Sequence, residues 1–170
     1  MTPVSLLRLG LAAIALAAVL PQGGSATSPA SEPIAIAVFD LDYVDSSGEA
    51  QDQQKAHAAR LQRFAEGLRQ DLAGSGKYRI VHPACDAPPC TAAGSDPSAL
   101  VDSARQAGAE LVIFGGVHKM STLVQWAKLQ ALDLRSDEIV FDKLITFRGD
   151  NDESWRQAES FVAREFIATP

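Results

Sequence analysis

The spacing of apolar residues changes along the chain, and each change marks a predicted element of secondary structure. Residues 34–39 form a continuous apolar run, which is typical of a strand covered on both faces. The polar residues 45–54 predict a loop. Between residues 54 and 73 apolar side chains recur at helical spacing, and Gly74 follows, so we predict a helix that ends there. Residues 78–82 predict a second, short strand.

The next segment repeats the alternation of helix and strand. Asp96 is placed to cap a helix that has Pro97 at its first position, and Gly108 is placed to end it. Residues 110–117 are almost entirely apolar and predict a third, deeply buried strand. An order of strand, helix, strand, helix, strand is typical of parallel strands joined by helical crossovers.

In the last third of the chain the apolar residues alternate. Residues 123–134 and 138–148 lie on either side of a short polar turn and predict an antiparallel hairpin with one solvated side. Asp150 and Glu153 have the spacing of a capping box and predict the start of a final helix. The buried face of that helix is predicted to contain Trp155, Ala158, Val162 and Phe166.

Together these elements predict an α/β (α+β) domain over residues 34–170, in the order β-α-β-α-β-β-β-α. We expect a mixed sheet in which three parallel strands are extended by the C-terminal antiparallel hairpin, with helices packed on it in a three-layer-like arrangement. A segment of this length buries a core as a single domain.

The N-terminus has the three parts of a secretory signal peptide. Arg8 is its only charged residue, residues 9–20 are apolar, and small residues lead up to Ala26. This pattern predicts a signal peptide over residues 1–26 and a flexible leader over residues 27–33. The apolar stretch is shorter than the roughly 20 residues that span a bilayer. No cysteine stands near the cleavage site, so we expect a soluble periplasmic protein and not a lipoprotein.

The charge of the mature chain excludes one large class of partner. Removal of residues 1–26 leaves 14 basic and 21 acidic residues, a net charge of −7. Nucleic acid would require a basic stripe, which the chain lacks. The glycines around Lys77 lack the spacing of a phosphate-binding loop, and we expect no cofactor.

Cys85 and Cys90 are the only cysteines. In an oxidising compartment, two cysteines this close in a loop predict a disulfide. The alternative is a metal site that also uses His82 and Asp86, because sulfur, imidazole and carboxylate suit zinc or copper. A disulfide needs two residues to meet, whereas a metal needs four ligands to converge, so the sequence favours the disulfide.

Two carboxylates follow the first predicted strand. Residues 39–44 resemble the first motif of the haloacid-dehalogenase-like phosphohydrolases, an apolar strand that ends in Asp-x-Asp. The resemblance implies that Asp40 attacks phosphorus and Asp42 acts as an acid or base beside Mg²⁺. The Ser/Thr and Lys motifs that accompany it in that family are missing here. The simpler interpretation is that the two aspartates end a strand and begin a loop.

Residues 34–40, 108–121 and 148–156 resemble an uncharacterised family of exported bacterial proteins. The last segment is the most specific: the family pattern is Arg-Gly-Asn-Thr-Asp-Glu-Ser-Trp, and this chain has Asp150 and Asn151 in the middle two places. The resemblance implies export and a fold, without catalytic residues. In its pattern of elements the chain is also similar to the N-terminal domain of TolB, and domains of that shape bind other envelope proteins.

The sequence therefore favours a non-catalytic binding or accessory module for an envelope or periplasmic protein partner. A phosphohydrolase that uses Asp40 and Asp42 is one alternative, and a metal or redox role for His82, Cys85 and Cys90 is another. A helix cap and a docked tryptophan also account for most of the last segment structurally. The candidate interaction residues are Arg148, Asp150, Asn151, Glu153 and Trp155.

Overall fold

The computed structural model of the chain describes residues 32–85 and 88–169. The predicted signal peptide, and the leader up to residue 31, lie outside these residues, as does Asp86. The described part contains six strands and three helices. Their bounds are β1 Ile34–Val38, β2 Asp42–Asp45, α1 Gln54–Gly74, β3 Tyr78–Ile80, α2 Pro97–Gln106, β4 Leu111–Lys119, β5 Val124–Asp133, β6 Glu138–Arg148 and α3 Asp152–Ala168.

The strands form one mixed sheet in the order β3-β1-β4-β5-β6, and β2 pairs with β4 beyond the end of β1. β1 runs parallel to both β3 and β4, and β2 runs parallel to β4. β4, β5 and β6 are successively antiparallel. The predicted mixed α+β fold, with its C-terminal hairpin and final helix, is confirmed.

β2 was not predicted from the sequence. Asp42–Asp45 were expected to begin a loop, but they pair residue by residue with Gly116–Lys119. A segment of four residues with an aspartate at each end carries little strand signal, because Asp is depleted in strands. β4 continues to Lys119, two residues beyond its predicted end at Val117. The pairing forms because the backbone groups of this part of β4 need hydrogen-bond partners.

The two faces of the sheet are covered differently. On the face that we call the helical face, α1 and α3 pack over core residues such as Leu68, Ile113 and Val162. On the other face, α2 packs over residues such as Ala37 and Val112 near β1 and the start of β4. Within the described residues no helix covers the rest of that second face, over β2 and the far part of the hairpin, and we call this region the open face.

The helices begin where local signals place them, with one exception. Asp96 caps α2, its carboxylate accepting from the backbone N of Ser98 at 2.8 Å, as predicted. α1 begins at Gln54 and ends at Gly74, also as predicted. No helix in the described ranges is both long and apolar enough to cross a membrane.

The exception is the start of α3. The N-cap is Asn151, whose side-chain oxygen accepts from the backbone N of Ser154 at 2.9 Å. Glu153 pairs with Arg156 at 2.7 Å instead of reaching back to the cap. The predicted capping box of Asp150 and Glu153 is therefore wrong, because stronger buried donors hold the Asp150 carboxylate. The predicted buried face of the helix is confirmed for Trp155, Ala158, Val162 and Phe166.

Candidate functional site

The open face of the sheet carries a contiguous group of exposed apolar side chains. Val44 on β2, Trp126 on β5 and Leu144 on β6 are 55%, 39% and 54% exposed. The strand register places Val44 and Trp126 on either side of His118, and Leu144 lies diagonally across from Trp126. We call these three side chains the apolar patch. Single exposed apolar residues are ordinary, whereas a contiguous group on an uncovered face is typical of a binding surface.

Two glycines form the floor beside this patch. Gly115 has a φ of +153°, and a Cβ there would overlap the carbonyl oxygen of Lys128. A Cβ on Gly116 would lie 2.7 Å from the carbonyl oxygen of Asp42. Both positions therefore require glycine, and the two residues line a shallow cavity of about 380 Å³ beside Trp126. Its apolar walls are Val44, Phe114 and Leu144.

The polar groups around the apolar patch already have partners. His118 Nε2 lies 2.8 Å from a serine hydroxyl of the loop after β2. The Asp42 carboxylate accepts from the backbone N of Ala93 at 3.1 Å, and Lys128 forms an ion pair with Asp142. An apolar centre with a satisfied polar rim is the usual anatomy of a protein interface.

A buried ionic cluster lies on the helical face, near the end of β4. Lys119 is 0% exposed, and its Nζ donates to the carboxylates of Glu49 at 2.6 Å and Asp150 at 2.8 Å and to the amide oxygen of Gln53 at 3.1 Å. Burial alone would lower the pKa of Lys119, but the hydrogen bonds from its ammonium to Asp150 and Glu49 raise it above its ordinary value. A charge this deep is tolerated because each ammonium proton has an acceptor.

Asp150 is the centre of this cluster. Besides Lys119, its carboxylate accepts from His57 Nε2 at 2.8 Å, from Arg60 at 2.7 Å and from the indole N–H of Trp155 at 3.3 Å. Burial alone would raise the pKa of Asp150, but the hydrogen bonds from Lys119 and His57 lower it below its ordinary value. An ionised carboxylate only accepts, so His57 donates through Nε2. The cluster ties α1 and the start of α3 to the sheet.

Aromatic rings pack around this ionic cluster. The ring of Tyr43 lies 4.8 Å from that of His57, and Phe147 meets Trp155 edge-on at 5.8 Å between centroids. Burial and the nearby Asp45 raise the pKa of Tyr43. The rings limit the access of water to the charges, which strengthens their attraction.

The five candidate interaction residues do not form one surface. Asp150 and Trp155 lie in the buried ionic cluster, while Asn151 caps α3 and Glu153 pairs with a neighbouring arginine on the helix surface. Arg148 is exposed, and strand alternation places it on the open face with Leu144. Of the five, Arg148 is therefore the one that shares a face with the apolar patch.

Asp40 and Asp42 both hold the loop that follows the disulfide. Asp40 accepts from the backbone N of Cys90 at 3.0 Å and from Arg69 at 3.4 Å, and Asp42 accepts from the backbone N of Ala93. Across residues 32–85 and 88–169, no group of three His, Cys, Asp or Glu side chains is arranged to hold a metal ion. Through these contacts both aspartates have a structural role. The phosphohydrolase alternative instead uses them as nucleophile and as acid or base.

Cys85 and Cys90 form a disulfide, which confirms that prediction. Neither sulfur is then available as a thiolate, so the alternative metal site with His82 loses its sulfur ligands. Its remaining candidate ligand, Asp86, lies outside the described residues. Closing a ring with a sequence separation of 5 stabilises the folded state by about 2 kcal/mol in the chain-entropy description.

Lys119, Glu49 and Gln53 were not among the residues predicted from the sequence. Nothing local marks Lys119, which follows a buried strand like any solvated lysine. Lys119 lies an even number of residues from the buried Ile113 and Val117, and residues at such spacing on one strand share a face. That spacing was the available signal. That signal only became useful once β4 was known to reach residue 119.

A family model described as "Protein of unknown function (DUF2380)", named DUF3280, matches residues 34–167. No curated protein matches the chain. The family match covers all the secondary-structure elements except the last residue of α3.

Several solved structures are similar at low identity. The C-terminal domain of LpoB from Salmonella enterica is 16% identical, with 70% of this chain and 85% of that chain covered and a TM-score of 0.47. TolB from Acinetobacter baumannii is 16% identical, with 81% of this chain and 28% of that chain covered and a TM-score of 0.47. PelC from Paraburkholderia phytofirmans, a dodecamer, is 14% identical, with 81% of this chain and 89% of that chain covered and a TM-score of 0.47. At such identities, function has to be argued from this chain's own residues.

Proposed function

We propose that this chain, which belongs to the DUF3280 family of proteins of unknown function, is an exported, non-catalytic accessory protein that binds a protein partner through its open face. Family membership confirms the predicted placement in an uncharacterised family. The observation that carries the proposal is the apolar patch of Val44, Trp126 and Leu144 beside a glycine floor.

The geometry of the patch supports a partner that contributes an apolar anchor. The cavity of about 380 Å³ beside Trp126 accommodates one large apolar side chain, and Val44 and Leu144 provide contact on either side. A tryptophan next to such a pocket is the residue type most often found at the energetic centre of an interface. His118 and the Lys128–Asp142 pair beside the patch already have partners, so covering them leaves none of these groups unpaired.

The sequence supports the compartment and the chemistry of the partner. The N-terminal pattern of residues 1–26 and the Cys85–Cys90 disulfide both favour an oxidising, exported location. We therefore place the protein in the periplasm, soluble and without a lipid anchor, with an envelope protein as partner. The net charge of −7 of the mature chain favours a partner whose rim is basic around its apolar anchor.

Site-specific photo-crosslinking in cells that export the full chain tests this proposal. A photo-reactive residue at position 144 should give a discrete adduct with one envelope protein. The same residue at position 34 is the matched control, because Ile34 is also exposed and apolar but begins β1, with β4 and β5 between it and β6. Equal adducts from both positions, or none from position 144, would contradict the proposal.

Binding to the protein identified in that adduct is then measured with purified components. Trp126→Ala should weaken the complex by about 30-fold, the effect of losing a hot-spot side chain worth about 2 kcal/mol. Ile34→Ser should leave the affinity unchanged. Near-UV circular dichroism of each variant checks that the fold is intact.

A further inference from the structure

A second cavity, of about 300 Å³, lies on the outer side of the helical face, between α1 and α3. Phe64 and Trp155 supply apolar wall, and Arg63 and Arg156 also line the cavity. Glu159 is also part of its wall. The cavity thus combines a carboxyl group, apolar surface and positive charge within the space of a small molecule.

Glu159 is buried without adequate partners. The residue is 5% exposed, and its Oε1 has no hydrogen-bond partner among the described residues. Its Oε2 accepts from the Ser160 hydroxyl at 3.2 Å. A buried carboxyl oxygen without a donor is destabilising, and such exceptions in a native structure call for an explanation.

Helix α1 has a glycine, Gly67, where it faces this carboxyl group. Gly67 lies in the middle of the 21-residue helix α1, where glycine is unfavourable. A Cβ at this position would lie 3.0 Å from Cδ and Oε2 of Glu159. Two unfavourable features, the helix-interior glycine and the unpaired carboxyl group, therefore meet at the wall of one cavity. Features of this kind concentrate at functional sites.

We propose that this cavity binds a small zwitterion of the α-amino acid class, with its ammonium group on Glu159 and its carboxylate on Arg63 and Arg156. The ammonium supplies the donor that Glu159 Oε1 lacks. The terminal torsion of a glutamate is broad, so the carboxyl group turns toward the cavity at little cost. An apolar ligand side chain packs on Phe64 and Trp155.

The two arginines have donors to spare for a carboxylate. Arg63 contacts Asp152 at 2.9 Å through one nitrogen, and Arg156 contacts Glu153 through two. A guanidinium carries five N–H donors, and its fork matches a carboxylate. This site lies across the sheet from the apolar patch and does not depend on the proposed partner.

Burial and, to a smaller extent, neighbouring groups on both helices set the protonation of Glu159. Burial raises its pKa to about 7 and Asp71 of α1 adds to the rise, while Ser160, Arg156 and Arg164 of α3 oppose it. An ammonium ligand binds the ionised form of Glu159, so the affinity of the protein for the ligand should be higher at pH 8 than at pH 5.5.

Titration of the mature, disulfide-bonded protein with L-leucine, followed by ¹⁵N NMR, tests the proposal. The Gly67 amide and the Trp155 indole N–H should shift in a saturable way. N-acetyl-L-leucine lacks the ammonium and L-leucinamide lacks the carboxylate, so each should bind at least tenfold more weakly. Absence of saturable shifts with leucine, or equal shifts with all three probes, overturns the proposal.

Variants assign the two ends of the ligand. Glu159→Gln should lower the affinity for leucine at least tenfold and remove its pH dependence, whereas Glu165→Gln, on the same helix but paired with Lys143, should change neither. If Glu159→Gln does not fold, the exposed Arg63→Gln decides, with at least a tenfold loss expected for leucine and none for leucinamide. Unchanged leucine affinity in the folded variant refutes the site.

Discussion

Replacing Asp150 by alanine tests whether the buried ionic cluster holds the ends of α1 and α3 to the sheet. Asp150 accepts from Lys119, His57 and Arg60 at 2.7 to 2.8 Å. After the substitution, Lys119 stays fully buried with Glu49 as its one remaining carboxylate in the described structure. Removing one partner of a buried ion pair costs about 3–5 kcal/mol. We expect the free energy of unfolding to fall by about that amount.

Two further variants separate charge from shape. Asp150→Asn keeps an acceptor oxygen and the volume but loses the charge, so it should cost less, about 1–3 kcal/mol. Lys119→Met removes the opposite charge. The double variant should lose at least about 1 kcal/mol less than the two single losses added together, because the residues contact each other. Asp142→Ala removes an exposed, paired carboxylate and should leave stability close to wild type.

Urea denaturation of the oxidised protein at pH 7, followed by circular dichroism and by tryptophan fluorescence, measures these differences. The pH dependence has a defined sign. The folded pKa of Asp150 is lowered, so its contribution is present above the unfolded value near ~3.9 and is lost as the pH falls through the folded value. A loss below about 1 kcal/mol for Asp150→Ala, or additivity within about 0.5 kcal/mol for the double variant, would refute the reasoning.

Two other predictions concern single positions. Burial raises the pKa of Glu159 from 4.5 to about 7. Between these values the folded protein holds a proton that the unfolded chain releases. The free energy of unfolding should therefore fall by about 3 kcal/mol between pH 4.5 and pH 7. Glu159→Gln should abolish this slope in denaturation curves recorded across that range. Gly115→Ala should lower the thermal midpoint by several degrees or prevent folding, because the new Cβ overlaps the neighbouring strand at a positive φ. Gly74→Ala, where a Cβ meets nothing within 4 Å, should leave the midpoint unchanged or slightly higher.

Elements with a strong local period were predictable. The apolar spacing of α1 and the alternation of β5 and β6 predicted their bounds to within a residue at most ends. Asp96 with Pro97 predicted the start of α2 because capping depends on neighbouring residues alone. The disulfide was predictable because a separation of five residues in one loop keeps the two cysteines close in any fold.

Features that depend on residues far apart in sequence were not predictable. β2 forms only because β4 extends beside it, and a four-residue segment has no pattern of its own. The role of Asp150 was predicted wrongly, since its spacing to Glu153 fits a capping box while its donors lie 31, 90 and 93 residues away. Asn151 takes the cap because Asp150 is held by those donors.

The sequence by itself determined the order of all elements except β2, the mixed sheet and the disulfide, because each of these follows from periodicity or from near neighbours. Only the tertiary structure decided which side chains are buried together and which face is left open. Lys119 looks like a surface lysine until three segments place Glu49, Gln53 and Asp150 around it. Trp126 looks like a core tryptophan until α2 is found to cover a different part of the sheet. Burial is a property of the packed arrangement, so local residue patterns indicate it but do not determine it.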